Sequence, residues 1–370
     1  TSIHLSTLDF KGLVMRRKSL FLIIVFLIVP IITLPFEVNF GKQLPAYSLS
    51  KLNQLSGNEL ANRLDAWFVE RLSYFPILVR TKNELLYRIG FSDELVFGQD
   101  GYAADRATLE DIIPQVDGLT DRELRFVVKR LSSLRDYLGN KGVYFVVCII
   151  PYKTTKDAPP FDKKFHRKSF GLERLQNELL REKVPFVDVL TEYRVIQETH
   201  YKTDVHNNSF GKVLVLGNLL AHLHNKFSLE FTEKRLKKGE YWFEGANNNG
   251  MPKLLPFGEY TTAYSVVDPA PFEQERVGDV LTFKPIGSSK VRLPKTLMIG
   301  NSFMLGYENL GIVDYFEKFS RIFDFTEFKN FESHLSDNEI VILHLYEGQI
   351  SFHLNTTDYW PAMVSRVASD

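Results

Sequence analysis

Eight consecutive residues, Val143-Tyr144-Phe145-Val146-Val147-Cys148-Ile149-Ile150, carry no charge and are β-branched or aromatic in all but one place. A run this short and this apolar predicts a strand buried on both faces, the kind found inside a parallel sheet covered by helices. The surroundings agree. Asp121 is expected to cap a long amphipathic helix reaching about Leu138, directly before this run. Leu172 to Leu180 has helical spacing, Val184 to Val189 reads as a strand, and Ser209 or Asn208 caps a helix through about Asn225. Thr296 to Ile299, Arg321 to Phe325 and Ile340 to Leu345 are further short apolar strands. Helices alternating with continuous apolar strands predict an α/β fold, a three-layer α/β/α sandwich on a mostly parallel sheet. The alternation fails over residues 229–294, where Tyr241-Trp242-Phe243 and the Gly245–Gly250 turns stand. That stretch reads as a β-rich insertion packed beside the sheet, covering a site.

A second apolar run sits near the start. Ser19 to Phe36 holds eighteen residues without a charge, about 27 Å of helix and close to the thickness of a bilayer core. Pro30 and Pro35 would kink or end such a helix. Lys11, Arg16, Arg17 and Lys18 precede it against Asp9 alone, which predicts a cytoplasmic N-terminus at 1–18 and an exported remainder. The alternatives are a cleaved signal peptide, for which Leu34–Glu37 offers no small-residue cleavage site, and a buried core helix. The expected organisation is therefore a signal anchor at 19–36, a linker at 37–58, a folded domain at 59–355 and a tail at 356–370. The chain begins at Thr1 without a methionine, as a trimmed or processed chain would. A helix is expected from Glu59 to about Tyr87, and a hairpin turn at Asp100-Gly101.

Composition closes several options. With 45 basic and 45 acidic residues the net charge is zero, and no long basic run offers a nucleic-acid surface. A single cysteine, Cys148, rules out an internal disulfide, a Cys-rich zinc site and a CxxC redox pair. Its apolar neighbours make it a core thiol. No GxGxxG or GxxxxGK[ST] pattern points to a nucleotide. His200, Asp204, His206 and His344 have no metal-ligand spacing, so neither a metal nor a cofactor is expected.

Two segments carry chemistry. In Leu297-Met298-Ile299-Gly300-Asn301-Ser302-Phe303 an apolar strand runs into a tight turn, which would present the Ser302 hydroxyl at the carboxyl edge of the sheet beside backbone N–H groups. The alternative is a plain helix-capping serine. In Thr203-Asp204-Val205-His206 the carboxylate and imidazole stand two apart, so in an extended segment they share one side. Asp204 would then fix the tautomer of His206 and leave its other nitrogen to deprotonate a hydroxyl. A turn with a surface histidine is the alternative. Pro151-Tyr152-Lys153 follows the buried strand and reads either as part of the same edge or as a solvated loop.

Taken together these segments resemble the SGNH-hydrolase-like domain of the AlgJ/AlgX family of polysaccharide O-acetyltransferases. Trp67 to Tyr102, ending in Phe97-Gly98-Gln99-Asp100-Gly101-Tyr102, looks like the family's entry segment and G-x-D-G-W/Y turn. Val146 to Lys153 resembles its strand and P-x-K, Thr203–His206 its T-D-x-H, and Ile299–Phe303 its G-D-S-F. The Asp/His motif precedes the Ser motif, as in this family and unlike ordinary SGNH esterases. The chain departs from the pattern at Asn207-Asn208, at Asn301 in place of the Asp of G-D-S, and at Gly348, which follows Glu347 where the family often has Arg. The resemblance implies catalytic Ser302, His206 and Asp204, with Asn301, Lys153 and Tyr152 binding oxyanion or substrate. It implies acetyl transfer to a polysaccharide hydroxyl outside the cell membrane, the acyl group being passed outward by a membrane-bound O-acyltransferase. An O-acetylesterase of the same fold and a non-catalytic polysaccharide-binding protein are the other readings. The last would require Ser302 and His206 to be misaligned.

Overall fold

The computed structural model describes residues 95–360, apart from 158, 168–170, 197, 231–235, 244–258, 269–270, 288–290, 324–331, 336 and 355–359. The expected anchor at 19–36, the linker and the helix from Glu59 to Tyr87 lie outside the described residues. No helix among the described residues is long and apolar enough to cross a membrane. The described chain opens on a hairpin, β1 (Leu95–Phe97) and β2 (Ala103–Asp105), paired antiparallel. Asp100 and Gly101 turn it with φ of 54° and 81°, the left-handed backbone that the Asp-Gly pair tolerates. Then come α1 (Ile113–Gly118), α2 (Asp121–Asn140), β3 (Tyr144–Ile150), α3 (Gly171–Arg181), β4 (Phe186–Val187), α4 (Leu190–Val195) and α5 (Ser209–Phe227). The later strands are β5 (Leu236–Phe243), β6 (Glu259–Val266), β7 (Phe272–Val277), β8 (Val280–Pro285), β9 (Thr296–Ile299), β10 (Phe319–Ile322) and β11 (Ile340–Tyr346).

Seven strands form the central sheet in the order β4-β3-β11-β9-β10-β8-β7, with the first five parallel. The period-2 geometry of β3 sends its side chains to both faces. Phe145, Val147 and Ile149 meet Leu124, Val127, Leu131 and Leu134 of α2 and Leu172, Leu175 and Leu179 of α3. Val146, Cys148 and Ile150 face Val215, Leu219 and Leu223 of α5. The three-layer sandwich follows from that two-sided burial. Cys148 has no exposed surface, and burial pushes its thiol up to about 12, so it is a core residue.

Local signals differ from expectation in three places. Thr120, and not Asp121, caps α2; its hydroxyl accepts from the Glu123 N–H at 3.2 Å while the Glu123 carboxylate takes the Thr120 N–H at 2.7 Å. The strand expected at Arg321–Phe325 runs earlier, over Phe319–Ile322, because its pairing with β9 begins at Phe319↔Thr296. The irregular stretch 229–294 does not merely lie beside the sheet. β5 and β6 form a separate hairpin, but β8 pairs antiparallel with β10 and β7 pairs with β8, so this stretch extends the sheet itself. Its polar-out alternation could not reveal that an edge strand lay waiting.

Two glycines of α5 separate close packing from propensity. A Cβ at Gly211 would stand 2.0 Å from the Thr199 carbonyl oxygen, whereas one at Gly217 meets nothing within 4 Å. Gly217→Ala should therefore stabilise the fold by about 1 kcal/mol through helix propensity. Gly211→Ala should destabilise it by about 1–3 kcal/mol through overpacking. Urea unfolding of the two variants checks the opposite signs.

Candidate active site

The carboxyl ends of β3, β9 and β11 define one edge of the sheet, where an open α/β sheet receives its ligands. β9 delivers Ser302 there. Gly300 is required by close approach, since a Cβ would lie 2.5 Å from the His344 carbonyl oxygen of neighbouring β11. Asn301 then caps a single 3₁₀ turn, Ser302–Met304, its side-chain oxygen accepting from the Phe303 N–H at 3.1 Å. The N–H groups of Asn301 and Ser302 donate to no carbonyl among the described residues. They stand beside the Ser302 hydroxyl as available donors.

Asp204 and His206 arrive on the loop between α4 and α5. This segment is bent, not extended. One carboxylate oxygen of Asp204 accepts both the His206 backbone N–H, at 2.8 Å, and the His206 Nδ1–H. The contact expected from i, i+2 spacing is thus made by an Asx-type turn. With Nδ1 donating to the carboxylate, Nε2 accepts from the Ser302 hydroxyl at 2.6 Å. The His206 ring lies 4.7 Å from the Phe303 ring, which stacks on Tyr346 at 4.6 Å and 9°. Side chains of His206 and Asp204 keep 15% and 10% exposure, so the pair is sheltered yet reachable. Such an arrangement can remove a proton from Ser302 and return it to a leaving group.

The other sequence candidates take supporting positions. The Asn301 side-chain amide donates to Gln349 Oε1 at 2.7 Å, and that oxygen also accepts the Tyr346 N–H at 2.9 Å. Asn301 thereby ties the serine turn to the end of β11. Lys153 is neither a solvated loop lysine nor a group facing substrate. It is 1% exposed, and its ammonium donates to the carbonyls of Ala103, Lys202 (3.3 Å) and Asp204 (3.1 Å). Tyr152 has no exposed surface either, its ring edge-on to Tyr346 at 5.7 Å. Burial first, then the Asp105 and Asp204 carboxylates, push its phenol up and keep it neutral.

Arg167 and Gln349 are parts of the site that no motif singled out, whereas Phe303 and Glu347 were read only as members of motifs, with no partner assigned. Glu347 has no exposed surface; it pairs with Arg167 at 2.7 Å and accepts from the Tyr152 N–H at 2.8 Å and the Thr155 hydroxyl at 2.7 Å. Burial works against the Arg167 charge, but the carboxylates of Glu347 and Asp117 hold its pKa above the ordinary value. A side chain at 348 would meet the Tyr346 ring at 2.6 Å, which accounts for Gly348.

Behind the site runs a buried polar chain. Lys156 donates to Ile196 O and to the Thr199 hydroxyl at 2.6 Å, Thr199 meets His200 Nδ1 at 3.0 Å, and His200 Nε2 reaches Pro151 O at 3.0 Å. Both His200 nitrogens are committed, and burial followed by the Lys156 and Lys153 charges holds its pKa well below the ordinary value. His344 bonds Tyr307 at 2.9 Å. These histidines do not converge on His206 as metal ligands, and no cluster that could hold a metal occurs among the described residues. Burial lowers the Lys156 pKa to about 7. Above that pH the folded chain has released a proton that the unfolded chain keeps until about 10.4, so stability should rise with pH across this window. Lys156→Met should flatten that rise, which urea unfolding at about pH 6.5 and about pH 9.5 would show.

No protein-family model matches the chain, and no curated protein matches it. Its structure is similar to the O-acetyltransferase domain of Pseudomonas putida AlgJ, at 13% identity and a TM-score of 0.48 over 74% of this chain and 98% of that one. It is similar also to Bacillus cereus PatB1, at 14% identity and a TM-score of 0.49 over 71% and 98%. Pseudomonas aeruginosa AlgX gives 18% identity and a TM-score of 0.44 over 72% of this chain and 64% of its own. With TM-scores below 0.5 the likeness bears on neither activity nor substrate.

Proposed function

We propose that this chain is a serine acyltransferase that moves acetyl groups onto hydroxyls of an exopolysaccharide or cell-wall glycan. The observation that carries the reading is the continuous contact from Asp204 through His206 to Ser302, with Nε2 at 2.6 Å from Oγ. The Asp-x-His and Gly-x-Ser motifs in the order of the AlgJ/AlgX family give it further support. A non-catalytic reading required these side chains to be misaligned, and their hydrogen bonds argue against it.

In the proposed mechanism His206 Nε2 takes the Ser302 proton as Oγ bonds to the acetyl carbonyl carbon of the donor. The oxyanion forms beside the Ser302 and Asn301 N–H groups. As the intermediate collapses, the bond from the acetyl carbon to the donor breaks and His206 returns its proton to the departing group. Acetyl-Ser302 remains. A glycan hydroxyl then loses its proton to His206 and attacks the acetyl carbon; Ser302 leaves and is reprotonated by His206. Asp204 orients the ring and stabilises the imidazolium in both halves. No metal or cofactor is called on.

The proposal extends to place and partners. Residues 19–36 would anchor the chain in the cell membrane with residues from about 37 onward outside it, in the periplasm or at the cell surface. A membrane-bound O-acyltransferase would hand the acetyl group outward, and the polysaccharide would accept it. The same residues would release acetate if water replaced the sugar, so an esterase is separated from a transferase by the acceptor alone.

Incubation of the full chain with an acetyl-ester donor should give a covalent acetyl adduct by intact mass, absent in Ser302→Ala. Neither adduct nor ester turnover in the wild type would sink the reading. Asp204→Asn should lower kcat by about 10⁴-fold while leaving the fold intact. Adding oligosaccharides should move the acetyl group to glycan; release of free acetate alone, across acceptors, would make the protein an esterase.

A further inference from the structure

Lys153 is buried to 1% exposure three residues beyond the end of β3, and its ammonium is surrounded by backbone oxygens. Two of them, Lys202 O at 3.3 Å and Asp204 O at 3.1 Å, belong to the loop that carries Asp204 and His206. The third, Ala103 O, belongs to β2, whose Ala103 N–H also donates to Lys202 O at 2.8 Å. One ammonium therefore fastens the hairpin and the Asp204 loop to the carboxyl end of β3. These oxygens oppose the desolvation cost of burying the lysine, so the arrangement is not an incidental surface contact.

Asp204 is consequently gripped at both ends. Lys153 holds its carbonyl, and its carboxylate holds the backbone N–H and Nδ1 of His206. Rotation of the peptide after Asp204 would swing His206 away from Ser302. The strand-end segment that bears Lys153 is itself pinned, because Glu347 accepts from the Tyr152 N–H and the Thr155 hydroxyl.

We propose that Lys153 is a positioning residue, acting through the Asp204 backbone to hold His206 Nε2 on the Ser302 hydroxyl. The inference rests on the reading of Ser302, His206 and Asp204 as acyl-transfer groups. Loss of the ammonium displaces the imidazole, so acylation slows while donor binding is little changed.

The test uses the full chain with 4-nitrophenyl acetate as donor. Lys153→Met should lower kcat by about 100-fold, the scale of a misplaced catalytic group, with KM within about threefold. In an Asp204→Ala background the same substitution should change kcat by less than about twofold, because the carboxylate that passes the restraint from the Asp204 backbone to His206 is gone. NMR adds a readout that needs no turnover: the hydrogen-bonded Nδ1 proton of His206 should shift or vanish in Lys153→Met. Should Lys153→Met fail to fold, Lys153→Gln, which keeps an amide donor, should fold and show an intermediate loss with the same proton shifted. An unchanged kcat with an unchanged His206 proton would overturn the proposal, as would a loss that is fully additive with Asp204→Ala. If the wild type forms no acetyl-Ser302 at all, the chemical reading fails, while the proton signal still decides whether Lys153 holds His206.

Discussion

A carboxylate with no exposed surface stands between the two halves of the site. Glu347 follows β11 directly, and a charge so placed is tolerated only when it is paired and hydrogen-bonded. Arg167 supplies the opposite charge, and the Tyr152 N–H and Thr155 hydroxyl fill a carboxylate oxygen. Removing one member of such a pair costs about 3–5 kcal/mol, because the other charge is left buried and alone. The ends of β3 and β11 are therefore locked to each other beyond their strand pairing, and the Ser302 turn after β9 and the Asp204 loop are each tied to one of those ends.

From that lock the site divides in two. On one side Glu347 leads through Gly348 to Gln349, which holds Asn301 and with it the turn that presents Ser302. On the other it fixes the segment after β3, from which Lys153 reaches the loop of Asp204. The two halves meet at the hydrogen bond between His206 and Ser302, with the Phe303 ring beside the imidazole and stacked on Tyr346. The proposed acyl transfer would need Ser302 and His206 held within about half an ångström of their working geometry. Here that precision comes from strand ends and buried polar bonds, although Asp204 and His206 themselves lie on a loop.

Much of this was legible in the residues. The run Val143–Ile150 is too apolar to lie anywhere but between two helical layers, and the structure covers it on both faces. Gly300 before Ser302, and Asp204 two residues before His206, were visible as local chemistry, and the structure brings these segments together. Lys153 was visible as a residue but not as a buried one. Its surroundings come from Ala103, Lys202 and Asp204, and only the fold brings those oxygens to a single point. β7 and β8 illustrate the same limit: which sheet such short strands join depends on the free edge of β10.

By itself the sequence determined the layers, a strand buried between them, the burial of Cys148 and the local motifs of the serine, histidine and aspartate proposed here for acyl transfer. These properties depend on neighbours within a few residues, where periodicity, turn preference and apolar content act. Tertiary structure alone decided that Arg167 would meet Glu347, that the Asn301 amide would donate to Gln349, and that Lys153 would hold a loop some fifty residues away. Such pairings are set by where the elements dock. A buried charge accepts whichever partner the packing brings within reach, and no local pattern encodes that distance.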